Sequence, residues 1–253
     1  MASNGDIAST AQRRNPTRPP GAVAVAVSLV VVVWLSLDVL HHGWWVAVDM
    51  HTSTLVRGIG IRQTFWPKVG VYAFTQLGAR GTILVLFTPF VVILAWRRQT
   101  WQPLIRFAVA LLLLTATVYG FKYGVGRAAP PLQQIHAEGR SFPSGHAPNS
   151  VLMWGLLAWL AAQYDLPHRI RQITALLRYT APVLTCLAML LLDYHWLSDL
   201  VAGFAVGIVL LRVLHLIFDG RLGHWGDGQR ARVSDGRGDH HRGVAVPDVG
   251  ATR

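Results

Sequence analysis

The chain has 253 residues, of which 52% are hydrophobic and only 14% are charged, and its formal net charge is +11. Soluble domains carry about 25% charged residues, so the composition is typical of a polytopic membrane protein. The cations lie mostly beside apolar runs or in the C-terminal tail, which membrane topology explains better than nucleic-acid binding does. The single cysteine, Cys186, excludes an internal disulfide.

The first 61 residues predict a polar arm, a membrane span and a helix on the membrane surface. Residues 1–20 are polar and Pro-rich, and we expect a disordered cytoplasmic arm. The first span is 21–40, and Asp38 is expected at its outer boundary because a charge at mid-bilayer costs about 2.5–3.5 kcal/mol. The stretch 46–61 predicts an amphipathic helix that lies on the membrane surface.

The remaining apolar runs complete an all-α bundle of six predicted transmembrane helices. The later spans are predicted at 82–96, with a start near Tyr72, and then at 104–121, 143–162, 180–192 and 196–217. Between the fourth and fifth spans we expect a basic loop that contains His168, Arg169, Arg171 and Arg178. The membrane domain thus covers 21–218, and 219–253 predicts a disordered, basic cytoplasmic tail.

The distribution of Arg and Lys orients this bundle. The arm, the second-to-third loop, the fourth-to-fifth loop and the tail are rich in Arg, so we expect them on the cytoplasmic side. The outer segments also carry cations, Arg80 among them, which weakens the asymmetry, but Lys122, Arg127 and Arg140 adjoin the motifs described next and are candidates for function. For a bacterial source, this topology predicts a cell-membrane protein whose motifs face outward. The structural rival is a bundle of four spans with re-entrant segments.

The first motif is Pro143-Ser144-Gly145-His146, at the start of the fourth span. Pro, Ser and Gly favour a turn, and the free amides at a helix start bind oxyanions together with a Ser hydroxyl. His146 is then within reach of whatever the turn holds. The alternative is an ordinary helix cap followed by an interfacial histidine.

A second group combines a histidine, a carboxylate and two cations. His195 and Asp199 share a helix face, so the carboxylate can fix the ring tautomer and leave the other nitrogen free to attack. Lys122 and Arg127 end the third span and suit a phosphate, Arg by bidentate contact and Lys as a point charge. The alternatives are a structural polar pair and cations that reach toward lipid headgroups.

The order and spacing of these pieces resemble the type-2 phosphatidic acid phosphatase superfamily, which also includes vanadium haloperoxidases. Its signature is Lys-x6-Arg-Pro, then Pro-Ser-Gly-His, then Ser-Arg-x5-His-x3-Asp. Lys122 is followed after six residues by Ala129-Pro130, and the other two motifs keep both histidines and Asp199. The resemblance covers roughly 75–210. Two family arginines are absent, since Ala129 and Met189 occupy their positions.

The resemblance implies an integral membrane, metal-independent hydrolase without a cofactor that acts on a lipid phosphate or diphosphate. His195 would form a phosphohistidine, Asp199 would orient its ring, and His146 would act as acid and then base. Lys122, Arg127, Ser144 and Gly145 would bind the phosphate. The candidate substrates are a polyprenyl diphosphate such as undecaprenyl diphosphate, phosphatidic acid and phosphatidylglycerol phosphate.

Two other functions stay open beside this one. A phosphotransferase of the same architecture would pass the phosphoryl group from His195 to a lipid or sugar acceptor. A degenerate member would bind lipid headgroups without turnover, because two charge-assisted hydrogen bonds of about 1.5–3 kcal/mol each are lost with the two arginines. We also expect Asp193 to cap the sixth span. The expected partners are a membrane lipid phosphate and the bilayer, with no nucleic acid, and the sequence leaves the oligomeric state open.

Overall fold

The structure is a computed structural model that describes residues 19–131 and 140–220, and every regular element within them is helical. A short 3-10 turn, Ile61–Gln63, links the second and third helices. The α-helices are α1 Ala22–Leu40, α2 Trp44–Ile59, α3 Phe65–Thr75, α4 Arg80–Arg98, α5 Gln102–Val125, α6 His146–Gln163, α7 His168–Leu191 and α8 Leu197–Gly220. The predicted all-α fold is confirmed for this part of the chain.

Five of the described helices are long and apolar enough to cross a membrane, as expected of an integral membrane protein. They are Ala22–Leu40, Arg80–Arg98, Gln102–Val125, His168–Leu191 and Leu197–Asp219. Each coincides with one of the predicted spans. Many large apolar side chains on these helices are exposed, which suits contact with lipid.

The remaining predicted span corresponds to α6, which differs from the other five. Every residue from 147 to 161 is buried, and the helix packs against α7. Its first turns carry His146, Pro148 and Asn149, which lower its apolar content. A helix surrounded by protein does not need a lipid-compatible surface, so α6 does not meet the composition of a lipid-facing span. Six spans therefore stay a prediction.

Two boundaries differ from the sequence expectations. The second span does not begin near Tyr72, because the chain turns between Gln76 and Ala79 and α4 starts afresh at Arg80. The expected basic loop is wrong as well, since His168 to Arg178 form the first turns of α7. The cations between His168 and Arg178 give this stretch the composition of a loop, but the stretch is helical in the structure.

The surface helix predicted at 46–61 is present as α2, but its polar face points into the protein. Its buried residues are Asp49, Ser53 and Val56, whereas Trp44 and Leu55 are exposed. A polar face is buried only where it finds partners. α2 is thus fixed to the interior by hydrogen bonds instead of by apolar packing alone.

The start of α6 lies against α8 at a position that requires glycine. A Cβ atom on Gly203 would lie 2.8 Å from the Ser144 carbonyl oxygen and 3.0 Å from the Pro148 side chain. Glycine allows this approach because it carries no side chain. The close contact brings the Pro-Ser-Gly-His turn beside the first turn of α8, where Asp199 lies.

The chain divides into two units, Met1–His215 and Leu216–Arg253. The site described below lies in the first unit. Of the second unit, the structure describes residues 216–220, which are the end of α8. The predicted arm 1–20 and tail 219–253 lie outside the described residues, except for residues 19, 20, 219 and 220.

Candidate active site

A cavity of about 460 Å³ brings the predicted motifs together. Its lining residues come from the turn before α4, from α5 and the segment after it, from the start of α6, and from the α7–α8 connection. They are Gly78, Arg80, Val118, Tyr119, Lys122, Ala129, Arg140, Ser141, Gly145, His146, Met189, Tyr194 and His195. This described lining contains three cationic side chains and no carboxylate, so the cavity suits an anion.

The two predicted histidines face this one cavity. His146 is the first residue of α6, and His195 lies in the connection just before α8. Their ring centroids are 6.4 Å apart with the ring planes at 58°. A single phosphoryl group can therefore contact both rings, as the roles that the resemblance implies for the two histidines require.

Asp199 orients the His195 ring from the first turn of α8. Its Oδ2 atom lies 3.3 Å from His195 Nδ1 and accepts hydrogen bonds from the Ser141 hydroxyl and from the Trp196 amide at 3.3 Å. Engagement of Nδ1 leaves Nε2 as the ring nitrogen available for chemistry. Ser141, whose hydroxyl also lies 3.3 Å from His195 Nδ1, was missed by the sequence analysis.

Arg127 contacts Asp199 and Asp49 and does not line the cavity. Its guanidinium donates to Asp199 Oδ1 at 2.9 Å, to the Ser198 hydroxyl at 2.6 Å and to Asp49 Oδ2 at 2.6 Å. It also stacks over Trp196 at 5.2 Å and is not one of the lining residues of the cavity. These contacts hold Asp199, and the contact of Arg127 with phosphate stays a prediction.

Asp49 of α2 completes this buried group and was not predicted from the sequence. Its exposed fraction is 1%, and its carboxylate accepts bonds from the Ser198 amide at 2.9 Å and the Ser198 hydroxyl at 2.5 Å. We call Asp49, Arg127, Ser198 and Asp199 the carboxylate network. Asp49 and Ser53 lie four apart on one face of α2, and that spacing was the available signal.

The phosphate-binding turn is only partly as predicted. The Gly145 backbone lines the cavity at the start of α6. Ser144 is fully buried, its amide donates to the Asp199 carbonyl at 3.0 Å, and its hydroxyl has no hydrogen-bond partner among the described residues. Ser144 therefore links the turn to α8, and it is not among the lining residues.

The charge of the cavity comes from Lys122 and from two arginines outside the motifs. Lys122 lines the cavity and donates to the Arg140 carbonyl at 2.7 Å. Ala129 and Met189, at the positions of the two absent family arginines, also line it and contribute no charge. We call Arg80, Lys122 and Arg140 the cation rim. Sequence analysis counted Arg80 only as a cation of an outer segment.

Asp193 belongs to neither group. Its carboxylate lies 3.9 Å from Arg57 of α2 instead of capping α8, and its backbone is left-handed with φ 52°. Burial raises the pKa of the Asp193 carboxyl above its ordinary value, against the opposing effect of Arg57 and Arg62. The role as a helix cap that we expected is therefore not the one that the structure shows.

Residues 103–222 match the model of the PAP2 superfamily, so the resemblance seen in the motifs is confirmed for that part of the chain. The matched segment begins in α5 and contains every motif residue discussed above.

Two relatives extend this finding. The chain is 26% identical over 155 residues to phosphatidylglycerophosphatase B of Bacillus subtilis (strain 168), which covers 59% of this chain and 74% of that protein. A crystal structure of a transmembrane PAP2-type phosphatidylglycerolphosphate phosphatase from Bacillus subtilis superposes with a TM-score of 0.66 at 21% identity, covering 78% of this chain and 96% of that one. The second likeness shows that the fold is shared.

Proposed function

We propose that the protein is a membrane lipid phosphatase that works through a phosphohistidine. The observation that carries this proposal is the meeting of His146, His195 and the cation rim at one cavity, whose lining holds no carboxylate among the residues that the structure describes. Two separate imidazoles can divide the roles of nucleophile and acid–base. Fixed cations and the amides at the start of α6 stabilise the charge that develops on the phosphoryl oxygens.

In the first step, His195 Nε2 attacks phosphorus and the bond from phosphorus to the lipid oxygen breaks. His146 gives its proton to that leaving oxygen, and Asp199 stabilises the imidazolium that forms at His195. In the second step, water attacks the phosphohistidine, His146 takes a proton from the water, and the P–N bond breaks to release phosphate. Lys122 and the Gly145 amide hold nonbridging oxygens throughout.

Arg127 and Ser144, which the motifs suggest as phosphate ligands, have supporting roles in this scheme. Arg127 holds Asp199 in place and offsets one of the two negative charges of Asp49 and Asp199. Ser144 fixes the turn against α8. No step of this scheme needs a metal ion.

The substrate class follows from the cavity and the membrane setting. Three cations in the lining suit a phosphate monoester or a diphosphate at the end of a lipid. Phosphatidylglycerol phosphate has the support of the two Bacillus relatives by their names, and polyprenyl diphosphate and phosphatidic acid belong in the same panel. We place the site at the outer face of a six-span bundle with α6 at its centre.

One observation favours a second candidate, a lipid-binding member without turnover. Ala129 and Met189 present apolar surface to the cavity where family members present arginine. Such a protein would bind lipid phosphates and release no phosphate.

The experiment that tests the proposal measures phosphate release by the purified full chain from a panel of these lipid phosphates. We expect turnover of at least one lipid, and we expect His195→Ala to abolish it because the nucleophile is removed. His168→Ala, an exposed histidine at the start of α7, serves as the matched control with unchanged turnover. Normal turnover by His195→Ala would contradict the mechanism, and headgroup binding without any turnover would favour the second candidate.

A further inference from the structure

The cations of the cavity divide into one that belongs to a motif and two that do not. Lys122 is the motif cation, whereas Arg80 precedes it by 42 residues and Arg140 lies in the segment that leads to Ser141. Arg127 is occupied by two carboxylates of the carboxylate network. The positive charge that faces the cavity in the described residues therefore comes from the cation rim.

Arg80 is placed beside His146 by a turn that is fastened to α6. The carbonyl oxygens of Leu77 and Gly78 accept hydrogen bonds from Trp154 Nε1 at 2.9 Å and Asn149 Nδ2 at 2.8 Å. A Cβ atom on Gly78 would lie 2.6 Å from the His146 carbonyl oxygen, so the turn touches the first residue of α6. The break between α3 and α4 thus presents Arg80 to the cavity at the end where His146 lies.

Arg140 is supported at the cavity by an aromatic ring of α5. Its guanidinium lies 4.3 Å from the Tyr123 ring centroid, and Nη1 donates to the Tyr123 hydroxyl at 3.2 Å. Arg80 has a similar relation to Tyr119, at 5.5 Å from the ring centroid. Tyr119 and Tyr123 stack on each other along α5 with centroids 6.3 Å apart. One pair of tyrosines therefore supports both arginines and restricts their side-chain freedom.

Arg80 and Arg140 line the same cavity as Ala129 and Met189. The side chains of Ala129 and Met189 are apolar and contribute no charge to it. A guanidinium offers planar, bidentate hydrogen bonding to a phosphate, whereas a lysine supplies only a point charge.

We propose that Arg80 and Arg140 are phosphate-binding residues of this site, which grip nonbridging oxygens of the substrate in place of arginines at positions 129 and 189. This inference rests on the proposed function for its substrate and deepens it by assigning two specificity-determining residues. Arg80 reaches the phosphoryl group from the side of His146, and Arg140 closes the site from the side of Tyr123.

The test compares Arg80→Ala, Arg140→Ala and the double variant with the wild type in phosphate release by the full chain. We expect kcat/KM to fall about tenfold or more for each single variant, because each loses a charge-assisted hydrogen bond. The double variant should fall further, and Arg80→Lys and Arg140→Lys should recover part of the loss. Arg97→Ala, at the other end of α4 and exposed, is the matched control with unchanged kcat/KM.

A binding measurement keeps this inference separate from the proposed function. Inorganic phosphate is titrated calorimetrically into the wild type, the double variant and Arg97→Ala, each shown to be folded by its thermal transition. We expect the double variant to bind phosphate at least tenfold more weakly than the other two proteins. If no lipid of the panel is turned over, the proposed function fails and this titration still decides the role of the arginines. Wild-type kcat/KM and phosphate affinity in the double variant, with His195→Ala inactive, would overturn the inference alone.

Discussion

The carboxylate network contacts His195 through Asp199, the cation rim shares a cavity with His195, and the two groups differ in burial, charge and support. In the network, Asp49, Ser198 and Asp199 are buried, and both carboxylates pair with Arg127 through short hydrogen bonds. In the rim, Arg80 and Arg140 are exposed and have tyrosine rings for support. The network keeps one ring in one orientation, whereas the rim attracts and holds a charged ligand.

This difference explains why the arginines of the site are not interchangeable. A buried arginine between two carboxylates cannot leave them for a substrate, because each carboxylate would then be buried without its partner. A rim arginine can exchange water for phosphate oxygens at little cost. Substitutions in the network should therefore change the chemistry or the stability, and substitutions in the rim should change substrate binding.

The largest effect on turnover is expected at His146, which lines the same cavity as His195 and the cation rim. His146→Ala should lower turnover of lipid alcohol esters by about 10²–10⁴-fold, because general acid catalysis is lost. An aryl phosphate with a good leaving group needs little protonation and should lose far less. Single-turnover rates on both substrates test this, and equal losses on the two would contradict the role of His146 as the acid.

Arg127→Ala should damage both stability and activity. It leaves Asp49 and Asp199 buried without their cation, and breaking a buried pair costs about 3–5 kcal/mol. Thermal unfolding in detergent should show a large loss for this variant, and Arg127→Lys should rescue it poorly because a lysine cannot reach both carboxylates in fork geometry. The control is Arg171→Ala, which removes an exposed pair with Asp165 worth at most about 1 kcal/mol. A small stability change for Arg127→Ala, equal to that of the control, would rule out the network as described.

Asp49→Asn should have a smaller and more selective effect. We expect kcat to fall about tenfold with little change in KM, since a positioning residue acts on His195 through Asp199 and does not touch the substrate. Asp38→Asn is the matched control, because Asp38 lies at the other side of the α1–α2 turn and accepts the Trp45 amide at 3.0 Å. A rise in KM alone would place Asp49 in substrate binding instead.

The smallest effect concerns Asp193, outside both regions. Because its folded-state pKa is raised above the ordinary 3.8, the wild type should lose stability as the pH rises through the folded-state pKa. Asp193→Asn keeps a residue that tolerates the left-handed backbone and should remove this slope in melting temperature. Asp165→Asn is the control, with φ 45° in place of 52° and an exposed carboxylate. Identical pH slopes in the wild type and Asp193→Asn would refute the raised pKa.

From the sequence we identified groups that lie at or beside the cavity, but not the residues that support them. Both histidines, Asp199 and Lys122 were singled out because they belong to motifs whose spacing along the chain reflects a local turn or helix, and their catalytic roles stay predictions. Asp49 could not be placed, since it contacts Ser198 from 149 residues away and an isolated aspartate in a surface helix has no partner in the sequence. Arg80 was not identified as part of the site for the same reason, because its position depends on how the turn before α4 packs on α6.

The absent family arginines show a related limit. From the sequence, Ala129 and Met189 only indicated a loss of charge. The structure shows that both line the cavity, and that Arg80 and Arg140 line it too. Compensation between distant segments depends on packing, which residue spacing does not report.

The central claim is that the His195 ring, aligned by Asp199, bonds to phosphorus during turnover. The most direct measurement is rapid quenching in alkali of the enzyme with a lipid phosphate that it turns over, followed by mass spectrometry of the peptide that contains residues 193–199. We predict a phosphoryl group on His195 that forms and decays at rates consistent with turnover. Full turnover with that peptide unmodified at every quench time, or with the phosphoryl group on another residue, would contradict the account.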